Sequence, residues 1–349
     1  MIITKRARSV LRWIRKIYKH KYKVDLSVNI QIPWKTKMRY NLIGFTDQDY
    51  FSFNLKENDY HQYISYQERL RLEDINGEYA SILGNKLVFE RLFGKYVNVP
   101  RIFCWEKGGN FLDLELGKKV DITQIIREQK KVIVKPVRSV GGGIGISLLE
   151  FENGQYYMNH EMISEADLLT ILSKCDNYIF IQYISSAEYS RNVYSGSTNT
   201  IRVVTCVSND NDIDVLLAFH RFGSDTSAPV DNISSGGLFS LIDLETGVLS
   251  EARQIVNPSN HFTMHPDTNV LIKGLQIPGW HDLLDYIINA HKCFAYYNFM
   301  AWDIAIDEFN QYWVLEINRG CDLSIQMIKP QRYEKLGKYM RSKGLLDKW

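Results

Sequence analysis

The stretch FMAWDIAIDEFNQYWVLEINRG, residues 299–320, places three side chains with oxygen donors on two predicted strands. Asp303 lies in the first strand, and Glu316 and Asn318 lie in the second, after the turn residues DEFN at 307–310. Apolar and polar residues alternate in both halves, which is the period of a β-strand. The stretch therefore predicts a β-hairpin with a carboxylate on one strand and a carboxylate and a carboxamide on the other.

The alternation also predicts the faces of this hairpin. One face of the first strand should carry Trp302, Ile304 and Ile306. One face of the second should carry Val314, Glu316 and Asn318. We expect Asp303 to lie opposite Val314 and diagonal to Glu316, at a Cβ separation of roughly 5 to 8 Å. The three donors would then converge on one small volume.

Oxygen donors of this kind suit a magnesium ion. Mg²⁺ is held by one or two carboxylates together with waters and substrate phosphates, and the neutral Asn318 adds a ligand without a third negative charge. An alternative is a hairpin whose acidic face meets only solvent. We expect Asp303→Asn or Glu316→Ala to abolish turnover without unfolding the protein if these residues bind metal.

Composition indicates a globular protein, because 45% of the 349 residues are hydrophobic. The five cysteines are scattered without a CxxC pair, which indicates neither a disulfide framework nor a zinc site. The eight histidines lack ligand spacing. No apolar signal segment or stretch long enough to span a bilayer is visible, so we expect a cytoplasmic protein, soluble or peripheral to the inner face of the membrane.

Residues 1–24 form a basic segment with nine Lys or Arg and no acid, although the net charge of the whole chain is only +2. Val10, Trp13, Ile14 and Ile17 recur in it at helical spacing. The pattern predicts a basic amphipathic helix, which could lie on an anionic membrane surface. Packing of its apolar stripe on the protein itself is an equal alternative. A nucleic-acid arm is disfavoured because the rest of the chain is acidic.

The remaining chain alternates between helical and strand patterns. Residues 25–60 should be irregular with short helices, 61–95 helical, and 280–297 helical again, with another helix in DITQIIREQ. Strands are expected at 101–105, 130–137, 177–184 and in ISLLEF, LFSLIDL and the hairpin of TIRVVTCVS with 214–223. Strands mixed with antiparallel hairpins favour an α+β fold over a doubly wound parallel sheet.

Lys135 ends the apolar strand at 130–137 and is followed by a glycine-rich loop, SVGGGIG at 139–145. A lone buried cation needs an anionic partner, and phosphate is a natural one. Glycines let backbone N–H groups approach phosphate oxygens. The loop is neither a Walker motif nor a dinucleotide fingerprint, and a plain structural turn remains equally open.

The order of these features resembles the ATP-grasp superfamily, in which two lobes hold ATP between them. The motifs NTIRVVT (199–205), DNISSGG (231–237), IDLETG (242–247), WDIAI and EINRG (316–320) are most similar to the sugar-transfer-associated group of that superfamily. The resemblance covers roughly residues 80–330. The spacing of Asp303, Glu316 and Asn318 is also similar to the D-alanine:D-alanine ligase type.

The resemblance implies roles for individual residues. Those implied to contact ATP are Lys86 and Lys135 at the phosphates, Ser139, Gly141, Gly142 and Gly143 in the flap, Gln182, Tyr183 and Ile184 in the adenine hinge, and Glu188 at the ribose. Asp303, Glu316 and Asn318 would hold two Mg²⁺ ions. Arg202, Arg221 and Asn232 match positions that face the γ-phosphate and the reacting carboxylate. For Arg202 and Arg221 a cross-strand ion pair with a local Asp remains an alternative. Arg319 is either a substrate clamp or a surface charge.

The implied organisation has four parts. They are a basic amphipathic helix at 1–24, a mostly helical region at 25–85, an ATP-grasp N-lobe with the glycine flap at 86–184, and a C-lobe with the metal site at 185–349. The acceptor pocket would be formed by loops near 224–235 and 257–280.

The resemblance implies a Mg²⁺-dependent ligase that joins a carboxylate to an amine through an acyl phosphate. By analogy with the group, the substrate would be a surface-polysaccharide sugar or its precursor. Two alternatives remain open. The same ATP site could phosphorylate a sugar or polyol hydroxyl, or the protein could be a non-catalytic nucleotide-binding scaffold at the membrane. No nucleic acid is expected as a partner.

Overall fold

The computed structural model describes residues 32–138 and 143–347, which fold around two antiparallel sheets. The predicted basic helix at 1–24 and the flap residues Ser139, Gly141 and Gly142 lie outside this described part. The first sheet contains seven strands and the second contains six. The predicted α+β fold class is confirmed.

The described residues contain ten α-helices. They are α1 (Trp34–Leu42), α2 (Asp47–Ser52), α3 (Tyr66–Glu73), α4 (Ala80–Leu83), α5 (Lys86–Phe93), α6 (Ile122–Gln129), α7 (Glu165–Leu172), α8 (Glu188–Val193), α9 (Trp280–Lys292) and α10 (Lys335–Ser342). Several of these helices begin at a residue whose side chain accepts hydrogen bonds from backbone N–H groups of the first turn. Ser65 and Glu68 form a capping box before α3, and Asp121 accepts from two backbone N–H groups at the start of α6.

The first sheet has the strand order β2-β1-β7-β3-β4-β5-β6. Its strands are β1 (Ile102–Lys107), β2 (Asn110–Leu112), β3 (Lys131–Pro136), β4 (Ser147–Glu152), β5 (Gln155–Met158), β6 (Glu161–Ile163) and β7 (Tyr178–Gln182). Helices α6 and α7 cover one face, where Ile126 and Leu168 pack against Val132 and Phe180. The other face carries Ile179 and is directed toward the rest of the molecule.

The second sheet has the order β11-β10-β9-β8-β12-β13. Its strands are β8 (Ile201–Val207), β9 (Ile213–Phe222), β10 (Leu238–Ile242), β11 (Leu249–Arg253), β12 (Phe299–Ile306) and β13 (Tyr312–Asn318). Helices α5 and α9 pack against one face, around Trp302. Helices α3 and α10 pack against the other, around Phe299. Strand β12 is covered on both faces, and all its residues are buried.

The predicted helices and strands largely coincide with these elements. The helices expected within 61–95 and 280–297 are α3, α5 and α9, and the strands expected at 101–105, 130–137 and 177–184 are β1, β3 and β7. The hairpin of β8 and β9 is also confirmed. Residues 32–60 contain two short α-helices and a 3₁₀ turn, as the sequence predicted.

The hairpin of β12 and β13 forms, but its predicted register was wrong at one point. Ile304 pairs with Val314, whereas Asp303 pairs directly with Glu316, so Leu315 has no partner and forms a β-bulge. The extra residue shifts the alternation of β13. Val314 therefore packs in the Trp302 core together with Ile317, and does not share a face with Glu316.

None of the helices in residues 32–138 and 143–347 has both the length and the apolarity needed to cross a bilayer.

Candidate active site

Two lysines meet where the two sheets face each other. Lys135 lies near the end of β3, and Lys86 is the first residue of α5. The backbone N–H of Lys86 donates to the carbonyl of Val137. Both side chains are buried. With Ile179 of the first sheet and Leu315 of the second, they line one small cavity. The predicted pairing of these lysines in one place is thus present in the structure.

Lys135 is a buried amine that is not bonded to any carboxylate of residues 32–138 and 143–347. Within that part of the chain its Nζ donates to the backbone carbonyl of Leu315, at 3.4 Å. Burial and the neighbouring charge of Lys86 lower the pKa of Lys135 to about 8, although Glu316 and Asp303 oppose the shift. A bound polyphosphate would restore the charged form, because an adjacent anion favours the ammonium.

Asp303 is the centre of a buried ionic cluster. The Nη2 of Arg202 donates to its Oδ2 at 2.7 Å, and the Nε of Arg202 donates to its Oδ1. The Nη2 of Arg221 lies 3.2 Å from Oδ1. Burial alone would raise the pKa of Asp303, but the two guanidinium groups outweigh it and hold the pKa below its ordinary value. Both arginines therefore form ion pairs with Asp303, which is the alternative that the sequence left open.

Two further residues extend this cluster, and they were not among the predicted site residues. Thr200 Oγ1 accepts from the Nε of Arg221 at 2.9 Å, and Asp231 Oδ2 accepts from the backbone N–H of Thr200 at 2.9 Å. The hydroxyl of Thr200 also donates to Asp231. Both residues belong to motifs that the sequence displays, NTIRVVT and DNISSGG, and those motifs were the available signal.

Glu316 and Asn318 lie beside this cluster. Asn318 Nδ2 donates to Asp303 Oδ2 at 3.1 Å, and Glu316 is paired with Asp303 across the strands. Glu316 is half-buried, and among the described residues its carboxylate has no hydrogen bond or salt bridge. The charges of Glu316 and Arg202 interact, as do those of Glu316 and Lys135. The structure therefore brings the three predicted metal ligands together.

The donor set fits a hard cation in part. Two carboxylates and a carboxamide from adjacent strands supply oxygens only, which is the set Mg²⁺ prefers. Glu316 is available as it stands, whereas both oxygens of Asp303 are already engaged by arginine and amide donors. Within 32–138 and 143–347, no cluster of three or more His, Cys, Asp or Glu side chains could hold a metal.

The glycine flap contacts the loop that carries Asn232. Gly143 has a φ of +70°, and a Cβ built there would lie 3.0 Å from Val230 Cγ2 and 3.6 Å from Asn232 Cβ. The side chain of Asn232 caps a 3₁₀ turn, where its Oδ1 accepts from the backbone N–H of Ser234. The absence of a side chain at Gly143 thus allows the flap to approach this loop closely.

The predicted hinge follows β7. The backbone N–H of Gln182 donates to the carbonyl of Arg101 at 2.9 Å, and Thr198 Oγ1 donates to the carbonyl of Ile184 at 3.2 Å. Tyr183 is half-buried, with the ammonium of Lys131 5.5 Å from its ring centroid. Glu188 begins α8 and is exposed.

Arg319 lies away from the ionic cluster. Its Nη2 is 3.7 Å from Glu73 Oε2 on α3, and about half of its side chain is exposed. Glu73 is buried and pairs more closely with Arg69, at 2.9 Å, so Arg319 is its more distant and more exposed partner. Of the predicted arginines, only Arg202 and Arg221 are directly bonded to Asp303.

Comparison with solved structures finds distant similarities. Similar solved structures include the L-amino acid ligase from Bacillus licheniformis, with 11% identity, a TM-score of 0.39, and coverage of 74% of this chain and 45% of that chain. Another is N5-carboxyaminoimidazole ribonucleotide synthetase from Thermotoga maritima, with 11% identity, a TM-score of 0.40, and coverage of 76% and 50%. A third is the ATP-grasp ligase PsnB, with 14% identity, a TM-score of 0.40, and coverage of 78% and 64%.

The chain spans about half the length of the first two of these structures. No curated protein matches the sequence. The profile of the sugar-transfer associated ATP-grasp family matches residues 66–335, which is well over half of the chain and includes the whole ionic cluster. The resemblance seen in the motifs is confirmed: the fold is that of the ATP-grasp proteins, and the chain belongs to the sugar-transfer associated ATP-grasp family.

Proposed function

We propose that the protein is an ATP- and Mg²⁺-dependent carboxylate–amine ligase. A substrate carboxylate oxygen attacks the γ-phosphorus of ATP, the bond from that phosphorus to the β–γ bridging oxygen breaks, and ADP leaves. The amine nitrogen then attacks the acyl carbon and the bond to the phosphate oxygen breaks. The amine loses a proton, and the products are an amide and inorganic phosphate.

The observation that carries this proposal is the buried row of cations between the sheets. Lys86, Lys135, Arg202 and Arg221 are buried or nearly so, while the adjoining Glu316 carboxylate remains unpaired in the described residues. Catalysis of phosphoryl and acyl transfer requires fixed positive groups where charge develops, and it needs no protein nucleophile. The cations are positioned before the substrate binds, because Asp303 holds both guanidinium groups.

Each cation has a role that follows from its position. Lys86 and Lys135 would contact the phosphates of ATP, beneath the flap that includes Gly143. The planar guanidinium groups of Arg202 and Arg221 suit the oxygens of the transferring phosphoryl group and of the tetrahedral intermediate. Asn232, on the loop that the flap contacts, lies close to the same space.

Asp303, Glu316 and Asn318 are the residues that would hold two magnesium ions. Bound there, the ions would neutralise charge on the β- and γ-phosphates. For this purpose Asp303 must share its oxygens with the arginines, whereas Glu316 can coordinate without giving up a partner.

The hinge and substrate loops complete the proposal. The backbone of Gln182, Tyr183 and Ile184 would contact adenine, and Glu188 would contact the ribose. The family description supports a carbohydrate substrate, so we expect a surface-polysaccharide sugar or its precursor to supply the carboxylate or the amine. Loops near 224–235 and 257–280 would select it, and Arg319 is a candidate clamp for the carboxylate. The reaction would occur in the cytoplasm, near the inner face of the membrane if residues 1–24 bind there.

Hydroxylamine trapping tests the proposal directly. The purified chain is incubated with ATP, Mg²⁺ and a panel of uronic acids and amino acids, and both ADP release and hydroxamate formation are measured. A ligase yields a hydroxamate, because hydroxylamine captures the acyl phosphate. ADP release without hydroxamate would instead indicate phosphorylation of a hydroxyl. No ADP release with any pair of acid and amine would indicate a scaffold that binds nucleotide without turnover.

A further inference from the structure

Helix α1 (Trp34–Leu42) directs its large apolar side chains toward solvent. Trp34, Met38 and Leu42 recur every four residues, so they form one ridge along the helix. Their side chains are 66%, 54% and 80% exposed, respectively. The helix has no fully buried residue. These three residues are called the apolar ridge below.

The side of α1 that faces the protein combines an aromatic contact with polar ones. The Tyr40 ring packs against Tyr50, with 4.9 Å between the ring centroids, and its hydroxyl donates to the carbonyl of Leu55 at 2.8 Å. Lys37 pairs with Asp47 of α2, and Asn41 Nδ2 donates to Asp47 Oδ1 at 3.3 Å. An amphipathic helix on a globular protein normally buries its apolar stripe and exposes its charges. In α1 the contacts of Lys37, Tyr40 and Asn41 hold the helix to the body, and the apolar ridge is left exposed.

Two cations flank the ridge on its exposed side. Lys35 and Arg39 are both exposed, and the Lys35 ammonium lies 5.8 Å from the centroid of the Trp34 ring. The sequence that precedes the helix contains nine more cations within residues 1–24. Apolar side chains between cations, with a Trp at one end, are typical of helices that lie in the interface of an anionic bilayer. A protein partner would not require so many cations beside the ridge and in the sequence that precedes it.

We propose that α1 is a docking helix for an anionic lipid bilayer. The apolar ridge enters the boundary between headgroups and acyl chains, while Lys35 and Arg39 stay at the level of the lipid phosphates. Docking in this way goes beyond the ligase chemistry and does not depend on it. The helix is anchored to the body by Asp47, so the membrane would hold the whole protein in a defined orientation.

Vesicle binding by the full chain, without nucleotide, tests the proposal. Sedimentation is measured with vesicles of phosphatidylcholine alone and with vesicles that also contain phosphatidylglycerol. The ridge variant carries Trp34→Ser, Met38→Ser and Leu42→Ser. Its affinity for the anionic vesicles should fall by roughly a hundredfold, because each of the three apolar side chains withdrawn from water contributes about a fivefold factor.

A matched control separates the ridge from general surface hydrophobicity. Leu116, Met162 and Phe309 are comparably exposed and lie elsewhere, so the same three changes to Ser there should leave vesicle binding unchanged. Both variants should keep the thermal midpoint of the parent, since no buried contact is lost. If the ridge variant is unstable, the single change Leu42→Ser is used, and it should still lower the affinity several-fold.

Other outcomes would overturn the proposal. Undiminished binding by the ridge variant, together with loss of binding on deletion of residues 1–24, would assign the membrane contact to the basic segment alone. Equal binding to neutral and anionic vesicles would contradict the role of the cations. A shift of the parent from dimer to monomer in the ridge variant, without any effect on vesicles, would mean that a second copy covers the ridge. ATP turnover is measured separately from vesicle binding and oligomeric state. A result that contradicts membrane docking would therefore not contradict the proposed ligase activity.

Discussion

Arg202 and Asp303 face each other across the neighbouring strands β8 and β12 and form a two-point ion pair in the buried centre of the second sheet. Because of this pair, a substitution of Asp303 should affect stability as well as activity. A carboxylate that holds two buried guanidinium groups is part of the fold as well as of the proposed metal site. Glu316, on the neighbouring strand β13, forms no ion pair with an arginine among the described residues.

Asp303→Asn and Glu316→Gln should therefore differ. Removing the charge of Asp303 leaves the buried Arg202 without its carboxylate partner, whereas Arg221 keeps Asp231 at 3.4 Å. We therefore expect a loss of about 3 to 5 kcal/mol in the free energy of unfolding. Glu316→Gln should change that free energy by less than about 1 kcal/mol and should still abolish turnover. Urea unfolding and ADP release measure the two effects. Equal stability of the two variants would contradict the structural role of Asp303.

The affinity for ATP should depend on pH through Lys135. Its pKa of about 8 in the free protein lies below that of an ordinary lysine, so the group loses its proton as the pH rises through 8. Phosphate binds the protonated form, and the ATP dissociation constant should therefore be lowest below pH 8 and increase by up to about tenfold per pH unit above it. Calorimetric titration at several pH values checks this expectation. The variant Lys135→Met should bind ATP weakly and without this dependence, and a flat profile in the parent protein would contradict it.

Gly143→Ala should impair turnover more than its effect on stability explains. A Cβ there would lie 3.0 Å from Val230 Cγ2, and the residue has a φ of +70°. Gly154 is a matched control, because its φ is +80° with nothing within 4 Å of the added Cβ. Both changes should cost about 1 to 2 kcal/mol in backbone strain. Only Gly143→Ala should lower kcat/KM for ATP, and equal kinetic losses would show that closure of the flap does not involve Val230.

Arg332→Met should be strongly destabilising. Its Nη1 donates to both carboxylate oxygens of Glu68 at 2.9 Å, and both side chains are buried. The change leaves the buried Glu68 carboxylate without a cation, although Ser65 and the backbone N–H of Asp347 still donate to it. We therefore expect a loss of about 3 to 5 kcal/mol in the free energy of unfolding. Lys329→Met removes the exposed pair with Glu334 and should cost less than about 1 kcal/mol. Similar losses for both variants in chemical denaturation would contradict this assignment.

Local pattern was sufficient to predict most elements of the fold. The alternation around Asp303 and the apolar run before Lys135 predicted β12 and β3 correctly, because each strand displays its period over several consecutive residues. The predicted faces of β12 were also right, since Trp302, Ile304 and Ile306 share one core. The family resemblance then implied what no local pattern contains, namely an arrangement of two lobes.

The contacts of the site could not be predicted in the same way. Arg202 and Asp303 are separated by 101 residues, and their contact depends on the register between β8 and β12. The alternation of residues within each strand does not specify that register.

The exposed ridge of α1 is a different case. Residues 25–60 were expected to be irregular with short helices, and the outward direction of the ridge follows from contacts of Lys37, Tyr40 and Asn41 that only the tertiary structure reveals.

The unpaired Leu315 has a consequence for the shape of the site. On the register set by Ile304 and Val314, a regular ladder would pair Asp303 with Leu315 and turn Glu316 toward the core around Trp302. The bulge instead keeps Glu316 opposite Asp303, and the carbonyl of Leu315 accepts from Lys135 Nζ at 3.4 Å. One irregular residue thus joins the ammonium of the first sheet to the strand that carries the second carboxylate.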